Sequence, residues 1–341
     1  MTATKGILIV GGYGHVGSRI AERLLIDGIT PVRLAGRSLE KARAMATRLG
    51  CEARHIDLDR SETWDDAIKG TDIVLVCMDQ QDTSFPAHVL AKGLTYVDIT
   101  ASDSFFRQVE TLGERAIESG GRAVLSIGLA PGLTNLLVKA CAEKLDHARS
   151  ARIGIMLGLG DAHGPAAIDW TLNQLLSPRG DQVQMETIPF GISPHGYPAI
   201  PFDFADQHVV RRTLGLSDAS TLLAFDPPMM ARMMFALLGF IRAKPWLTRL
   251  MGKTMPYMRI GSDRAALAIE VRGEVEARTE IFRAVLEGRR EADITALVAA
   301  LTVEHLAQTE FRAGVWHIDQ ILSIDRLAPA LGEYGVLLRL P

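Results

Sequence analysis

The sequence predicts an α/β protein built on a doubly wound parallel sheet, with a second domain attached. Three observations carry this expectation. Ile7 to Val10 form an apolar run that leads directly into Gly-Gly-Tyr-Gly-His-Val-Gly and an amphipathic segment. Strand-length apolar segments then alternate with helix-length segments as far as Lys144. At 341 residues the chain also exceeds what one core usually covers, so two domains are expected.

The first strand has the uniform apolarity of one covered on both faces. Gly12, Gly14 and Gly17 follow in GxGxxG spacing. Gly12 permits a tight turn, Gly14 leaves room for a diphosphate, and Gly17 lets a helix over residues 18–27 approach the strand. The start of that helix directs N–H groups and the positive end of its dipole at the diphosphate. A dinucleotide site lined by Gly12, Tyr13, Gly14, His15, Val16 and Gly17 is therefore predicted. A second strand, residues 31–35, ends in Gly36-Arg37-Ser38, where an NAD site usually places a carboxylate for the ribose. A guanidinium and a hydroxyl suit a 2′-phosphate instead, so NADP(H) is expected over NAD(H), with Arg37 and Ser38 holding it.

Residues 39–49 have helical spacing, and 51–58 read as a third strand. Asp57 at its end is a candidate adenine contact or a turn carboxylate. A short helix over 64–69 precedes a fourth strand over 71–78, whose C-terminal edge, Cys77-Met78-Asp79-Gln80, should lie near the diphosphate and the nicotinamide ribose. A helix over 83–92 leads to a fifth strand, 95–99. Asp98 there is a candidate proton carrier or helix cap, Thr100 a cofactor contact and Ser102 a substrate contact. One helix is expected over 105–119 and a sixth strand over 122–127. The turn Gly128-Leu-Ala-Pro-Gly-Leu-Thr-Asn135 opens a further helix. Pro131, Gly132 and Asn135 are candidates for holding a substrate carboxylate.

A strand over 151–157 begins the second domain and leads into Gly158-Leu-Gly-Asp-Ala-His-Gly-Pro165. Asp161, and Trp170 on a helix over 166–176, are substrate candidates. His163 is the leading proton donor, because an imidazole in a glycine-rich loop titrates in the useful range; a solvated loop histidine is the alternative. Residues 177–225 are rich in proline and glycine and read as short strands and long turns. Residues 226–258 hold seven of the twelve methionines, which suit core, a subunit face or a lid. Strands over 265–275 and 279–286 pair across a short turn. A long helix follows over 293–308, and a short one over 326–331.

The formal net charge of −3 and the dispersed arginines give no footprint for nucleic acid. The apolar run 227–241 is too short, and at Arg232 too charged, for a membrane span. Three separated cysteines and scattered histidines predict neither a disulfide framework nor a metal site. The first strand starts too early for a targeting segment to precede it, so a cytoplasmic location is expected. The expected partner is a small-molecule substrate, and the chain is expected to form a homodimer.

Gly-Gly-Tyr-Gly-His-Val-Gly, Ala-Gly-Arg-Ser at 35–38, Tyr-Val-Asp-Ile-Thr at 96–100 and Gly-Leu-Ala-Pro-Gly at 128–132 resemble the saccharopine dehydrogenase family over residues 5–140. The likeness returns at Thr295-Ala-Leu-Val-Ala-Ala-Leu and Phe311-Arg-Ala-Gly-Val. Ala130 stands where fungal-type members carry aspartate. The resemblance implies a Rossmann domain, residues 1–145 and about 293–341, with a mixed α/β substrate and dimerisation domain, 146–292, inserted and the last helix returning to the first domain. It also implies NAD(P)-dependent hydride transfer to or from the C=N carbon of an amino-acid-like substrate, which with Arg37 and Ser38 gives the expectation of an NADP-dependent enzyme. Two other readings stand beside it: an NADPH-dependent carbonyl or enoyl reductase acting on an apolar substrate, and a non-catalytic NADPH-sensing protein.

Overall fold

A computed structural model describes residues 5–161, 171, 174–175, 185–191, 196–242 and 261–341. The chain divides into two compact units, residues 1–133 with 295–322 and residues 134–294 with 323–341.

The first unit is a Rossmann-type sheet of seven parallel strands: β1 (Ile7–Val10), β2 (Val32–Gly36), β3 (Glu52–His55), β4 (Ile73–Val76), β5 (Thr95–Asp98), β6 (Arg122–Leu125) and β13 (Gly314–His317), in the order β13-β6-β5-β4-β1-β2-β3. Ile7–Val10 and Ile73–Val76 are wholly buried, as continuous apolar runs in a two-sided sheet require. Their register is direct, with Val10 opposite both Ala35 and Val76. Helices α1 (Gly17–Ile26), α2 (Leu39–Leu49), α3 (Trp64–Ile68), α4 (Ser84–Ala91), α5 (Asp103–Glu110) and α6 (Gly113–Ser119) connect the strands. The helix expected over 105–119 is two helices, because the run stops after Glu110 and restarts at Gly113, a residue that disfavours a helix interior. The third strand is shorter than expected because the chain turns at Asp57. β13 escaped the sequence reading; four residues with one glycine give no periodic signal.

The second unit has a mixed seven-stranded sheet. Its strands are β7 (His147–Gly158), β8 (Glu186–Ile188), β9 (Tyr197–Pro201), β10 (Asp218–Asp226), β11 (Arg264–Val275), β12 (Arg278–Arg289) and β14 (Leu337–Arg339), in the order β14-β12-β11-β7-β10-β9-β8. Its helices are α7 (Thr134–Ala142), α8 (Ala205–Leu214), α9 (Pro228–Arg242) and α12 (Ile324–Glu333). The helix α10 (Glu291–Gln308) crosses the division and gives most of its length to the first unit, where the short α11 (Ile318–Ile321) follows β13. The hairpin β11–β12 turns through Glu276 and Ala277, both left-handed.

Three expectations need correction. Among their described residues, 177–225 hold the short strands β8 and β9, as expected, but also the ten-residue α8 and nearly all of the nine-residue β10, which runs parallel to β7. The mixed polar and small residues of β10 carry no alternation, which is why its length was illegible. The first division falls before α7 rather than after it, because α7 packs on α8, β11 and β12. Residues 323–341 belong with the second unit, since β14 pairs with β12 and α12 packs on α7. No helix among the described residues is long and apolar enough to cross a membrane.

Candidate functional site

The C-terminal ends of the parallel strands collect most of the candidate residues on one edge of the first unit. The winding reverses between β1 and β4, the place where open parallel sheets leave a crevice for a ligand. Gly11 has φ +77°, and a Cβ there would lie 3.2 Å from the Cys77 carbonyl oxygen, so the two strand ends nearly touch. A Cβ on Gly12 would come within 2.8 Å of both the Ile9 carbonyl oxygen and Leu34. A Cβ on Gly17 would collide with the Gly11 carbonyl oxygen and sit 3.0 Å from Gly12 Cα, so this glycine seats α1 on the turn.

Gly14 differs from both. A Cβ there would meet only the Gly11 carbonyl oxygen, at 3.0 Å, and otherwise open space. The N–H groups of Tyr13, Val16 and Gly17 make no backbone hydrogen bond among the described residues. An open glycine beside free donors at the start of α1 fits a dinucleotide diphosphate. His15 is half-buried and bonded to Arg19, whose guanidinium also reaches the His15 carbonyl oxygen.

At the end of β2, Gly36 is buried beneath the ring of Tyr13. Ser38 caps α2, its Oγ accepting the Lys41 N–H at 3.3 Å, while its own N–H donates to Tyr13 Oη at 3.3 Å. Arg37 is exposed and pairs with no described residue. Asp57 closes a turn: Oδ1 accepts the Asp59 N–H at 3.2 Å, and its carbonyl oxygen accepts from Trp64 Nε1 and Thr63 Oγ1. Cys77 and Met78 are half-buried; burial, helped by Asp98, pushes the Cys77 thiol up.

Asp98 is fully buried. Burial pushes its carboxyl up to about 6, against hydrogen bonds that favour the ionised form. Its Oδ1 accepts the Thr100 N–H at 2.6 Å, and its Oδ2 accepts from the Tyr96 hydroxyl and, at 2.9 Å, from Gln80 Nε2. Gln80, expected near the diphosphate, and Tyr96 were not foreseen as partners of Asp98; a tyrosine inside an apolar strand was the available signal. Ser102 caps α5 by accepting the Phe105 N–H at 3.4 Å.

After β6 the chain enters a left-handed turn at Ser126, φ +62°. Ser126 Oγ lies 2.7 Å from His317 Nδ1, and His317 Nε2 lies 2.9 Å from Glu110 Oε1. No spacing rule could pair residues 191 and 207 positions apart. In the turn beyond, Pro131 and Gly132 are buried, with Gly132 at φ +140°. The Leu129 N–H donates to Thr295 Oγ1 at 3.1 Å and the Leu133 N–H to the Gly128 carbonyl oxygen at 2.9 Å. Two donors of this turn are thereby committed.

Residues 11–113 match a family model described as NAD(P)H-binding, and that segment holds the glycine turn, Arg37, Asp98 and Thr100. No curated protein matches the chain by sequence. Among solved structures, apo saccharopine dehydrogenase (L-Glu forming) from Saccharomyces cerevisiae aligns with a TM-score of 0.67 at 12% identity, covering 98% of this chain and 99% of that one. The chain has the saccharopine dehydrogenase fold. C. glutamicum DAP dehydrogenase in complex with DAP aligns with a TM-score of 0.53 at 14% identity, covering 96% of this chain and 99% of that one. An engineered D-amino acid dehydrogenase bound to NADP+ gives 0.50 at 15% identity, with 96% and 99% covered.

In this fold, the candidates Gly12 to Gly17, Cys77 and Met78, and Thr100 follow the C-terminal ends of the adjacent strands β1, β4 and β5, and Asp98 is the last residue of β5. Arg37 and Ser38 stand at the neighbouring end of β2. Asn135 and Asp161 belong to the second unit. Asn135 is fully buried at the start of α7, where Thr134 Oγ1 donates to its Oδ1 at 3.3 Å. Asp161 Oδ2 accepts the Glu291 N–H at 2.9 Å. His163 and Trp170 lie outside the described residues.

Proposed function

We propose that the protein is an NADP-dependent oxidoreductase that moves hydride to or from the C=N carbon of an amino-acid-like substrate. The observation that carries this reading is the turn after β1, where Gly14 faces open space beside uncommitted N–H groups. The exposed guanidinium of Arg37 at the end of β2, which pairs with no described residue, supports the choice of NADP. A bound nicotinamide dinucleotide supplies the hydride.

The chain's own residues do the rest. Gly12, Gly14 and Gly17 shape the diphosphate cradle, and Tyr13 and Val16 offer N–H donors to it. Arg37 neutralises the 2′-phosphate. Asp98 pins the end of β5 through the Thr100 N–H, and burial pushes its carboxyl up to about 6. His163 stays the proposed proton donor, and Asn135, Asp161 and Trp170 stay proposed substrate contacts. The three solved structures are named for amino-acid dehydrogenases, which supports an amino-acid-like substrate. Met229, Met233 and Leu237, exposed at one-turn intervals on α9, support a homodimer as part of the same proposal.

The test is NADPH oxidation at neutral pH with a panel of amines and oxoacids, run beside ketones and enoyl thioesters. Oxidation that requires both amine and oxoacid is expected. Turnover of a ketone or enoyl thioester alone would favour the carbonyl-reductase reading. Tight NADPH binding with no turnover would favour the sensor.

A further inference from the structure

Gly36 ends β2 at the position from which a dinucleotide-binding sheet usually reaches the adenosine ribose. Its φ lies outside the left-handed region, so the backbone there accepts any L-residue. The three atoms nearest to a Cβ built on Gly36 all belong to Tyr13. A Cβ would stand 2.5 Å from Tyr13 Cε1 and 2.9 Å from both Tyr13 Cζ and Oη. The glycine is thus explained by the tyrosine ring lying on it, not by the turn.

The same ring fixes its hydroxyl. Tyr13 Oη accepts the Ser38 N–H at 3.3 Å, and no described residue accepts the Tyr13 hydroxyl hydrogen. A phenol that accepts one hydrogen bond still has its own hydrogen to give, so Tyr13 presents a donor at the end of β2. The exposed guanidinium of Arg37 follows Gly36 directly.

We propose that Tyr13 is a specificity-determining residue for the cofactor: its ring shuts the ribose-reading position to any carboxylate, and its hydroxyl donates to the 2′-phosphate. This rests on the NADP reading above and names the residue that enforces it. The exclusion acts against NAD, because the ribose diol loses the acceptor that an acidic residue at position 36 would offer. The donation acts for NADP, because a hydrogen bond to a charged phosphate is stronger than one to a neutral diol. Tyr13 and Gly36 therefore form one device, and neither can be changed alone to reverse the preference.

Binding of NADPH and NADH, followed by nicotinamide fluorescence on the full chain, tests this without a known substrate. Tyr13→Phe keeps the ring on Gly36 and removes only the hydroxyl. It is expected to weaken NADPH binding by about tenfold, the loss of one charge-assisted hydrogen bond, and to leave NADH unchanged. Gly36→Asp alone is expected to lower affinity for both cofactors, because the ring occupies the carboxylate's place. Gly36→Asp with Tyr13→Ala is expected to bind NADH better than either single variant, a non-additive pair in a double-mutant cycle. Circular dichroism and melting of each variant establish that it is folded. Equal losses for both cofactors in Tyr13→Phe, no loss at all, or a full switch to NADH by Gly36→Asp alone would overturn the role of Tyr13. A wild-type chain that prefers NADH would overturn the NADP reading itself, and this inference with it. A wild-type preference for NADPH that Arg37→Ala abolishes but Tyr13→Phe leaves intact would remove only the inference.

Discussion

Ser126 Oγ lies 2.7 Å from His317 Nδ1, and this contact joins the left-handed turn after β6 to the end of β13. A carboxylate only accepts, so in the neutral imidazole the Nε2 hydrogen goes to Glu110 and Nδ1 accepts the Ser126 hydroxyl. Phe106 packs edge-on against the imidazole, and the His317 N–H donates to Gln320 Oε1 at 2.9 Å. Both ring nitrogens and the N–H of His317 thus have partners, and the bond to Ser126 helps hold a backbone conformation that a serine disfavours.

Two variants separate the strain from the hydrogen bond. Ser126→Ala and Ser126→Gly both remove the hydroxyl and leave Nδ1 without its donor, but only glycine adopts φ +62° freely. Ser126→Gly is expected to be the more stable of the two by about 1 kcal/mol, the reverse of the usual order in regular structure. Denaturant melts of both would check it; equal midpoints would mean that the backbone relaxes without glycine.

The glycines of the turn after β1 predict two different failures. A Cβ at Gly17 meets the backbone of Gly11 and Gly12, so Gly17→Ala should displace α1 and lower both stability and NADPH binding. A Cβ at Gly14 meets one carbonyl oxygen at 3.0 Å and otherwise points into open space. Gly14→Ala should therefore keep the melting temperature within a few degrees while weakening NADPH binding by about tenfold or more, as a methyl enters the diphosphate's place. Parallel loss of both properties in Gly14→Ala would mean that the open space serves the fold and not a ligand.

The edge of the parallel sheet was legible because its strands are apolar runs and its glycines sit at a spacing set by local sterics. Such signals need only neighbouring residues. Ser126, His317 and Glu110 were illegible because three distant segments supply them, and each alone reads as an ordinary polar residue. Asp98 was marked by its place at a strand end, but its bond from Gln80, which follows the neighbouring strand, has no local signal, and Tyr96, two residues before it, reads as one more large residue of an apolar strand. In the second unit, α8 and β10 were missed where small and polar residues dilute the periodicity, and tertiary packing on α7 and β7 decides the structure.

Arg37 gives the most direct cofactor prediction. Its guanidinium is exposed and pairs with no described residue, so removing it disturbs no described ion pair. Arg37→Ala should leave the melting temperature unchanged and weaken NADPH binding by about ten- to a hundredfold, with NADH little affected. The loss should shrink as salt is raised, because screening weakens an exposed charge pair in the wild-type chain. A variant that loses NADH and NADPH equally would place Arg37 on the diphosphate.

Asp98 predicts a pH dependence with a defined sign. Its carboxyl is pushed up to about 6 in the folded chain, against a reference of 3.8, chiefly by burial. A carboxyl that binds its proton more tightly when folded makes the native state richer in protons between those values, so stability falls as pH rises from about 4 to 6 and levels off above. Asp206, also buried and also pushed up to about 6, adds a contribution of the same sign. Asp98→Asn removes one ionisation and should flatten this slope, gaining on the wild type by about 2 kcal/mol between pH 4 and pH 7 before any loss from altered hydrogen bonds. The carboxyl carbon resonance of Asp98, followed by NMR, should titrate near pH 6 in the wild-type chain. A midpoint near 4 would mean that the donors from Thr100, Tyr96 and Gln80 cancel the effect of burial, and Asp98 would then stay a fixed carboxylate through the neutral range with no proton to lend.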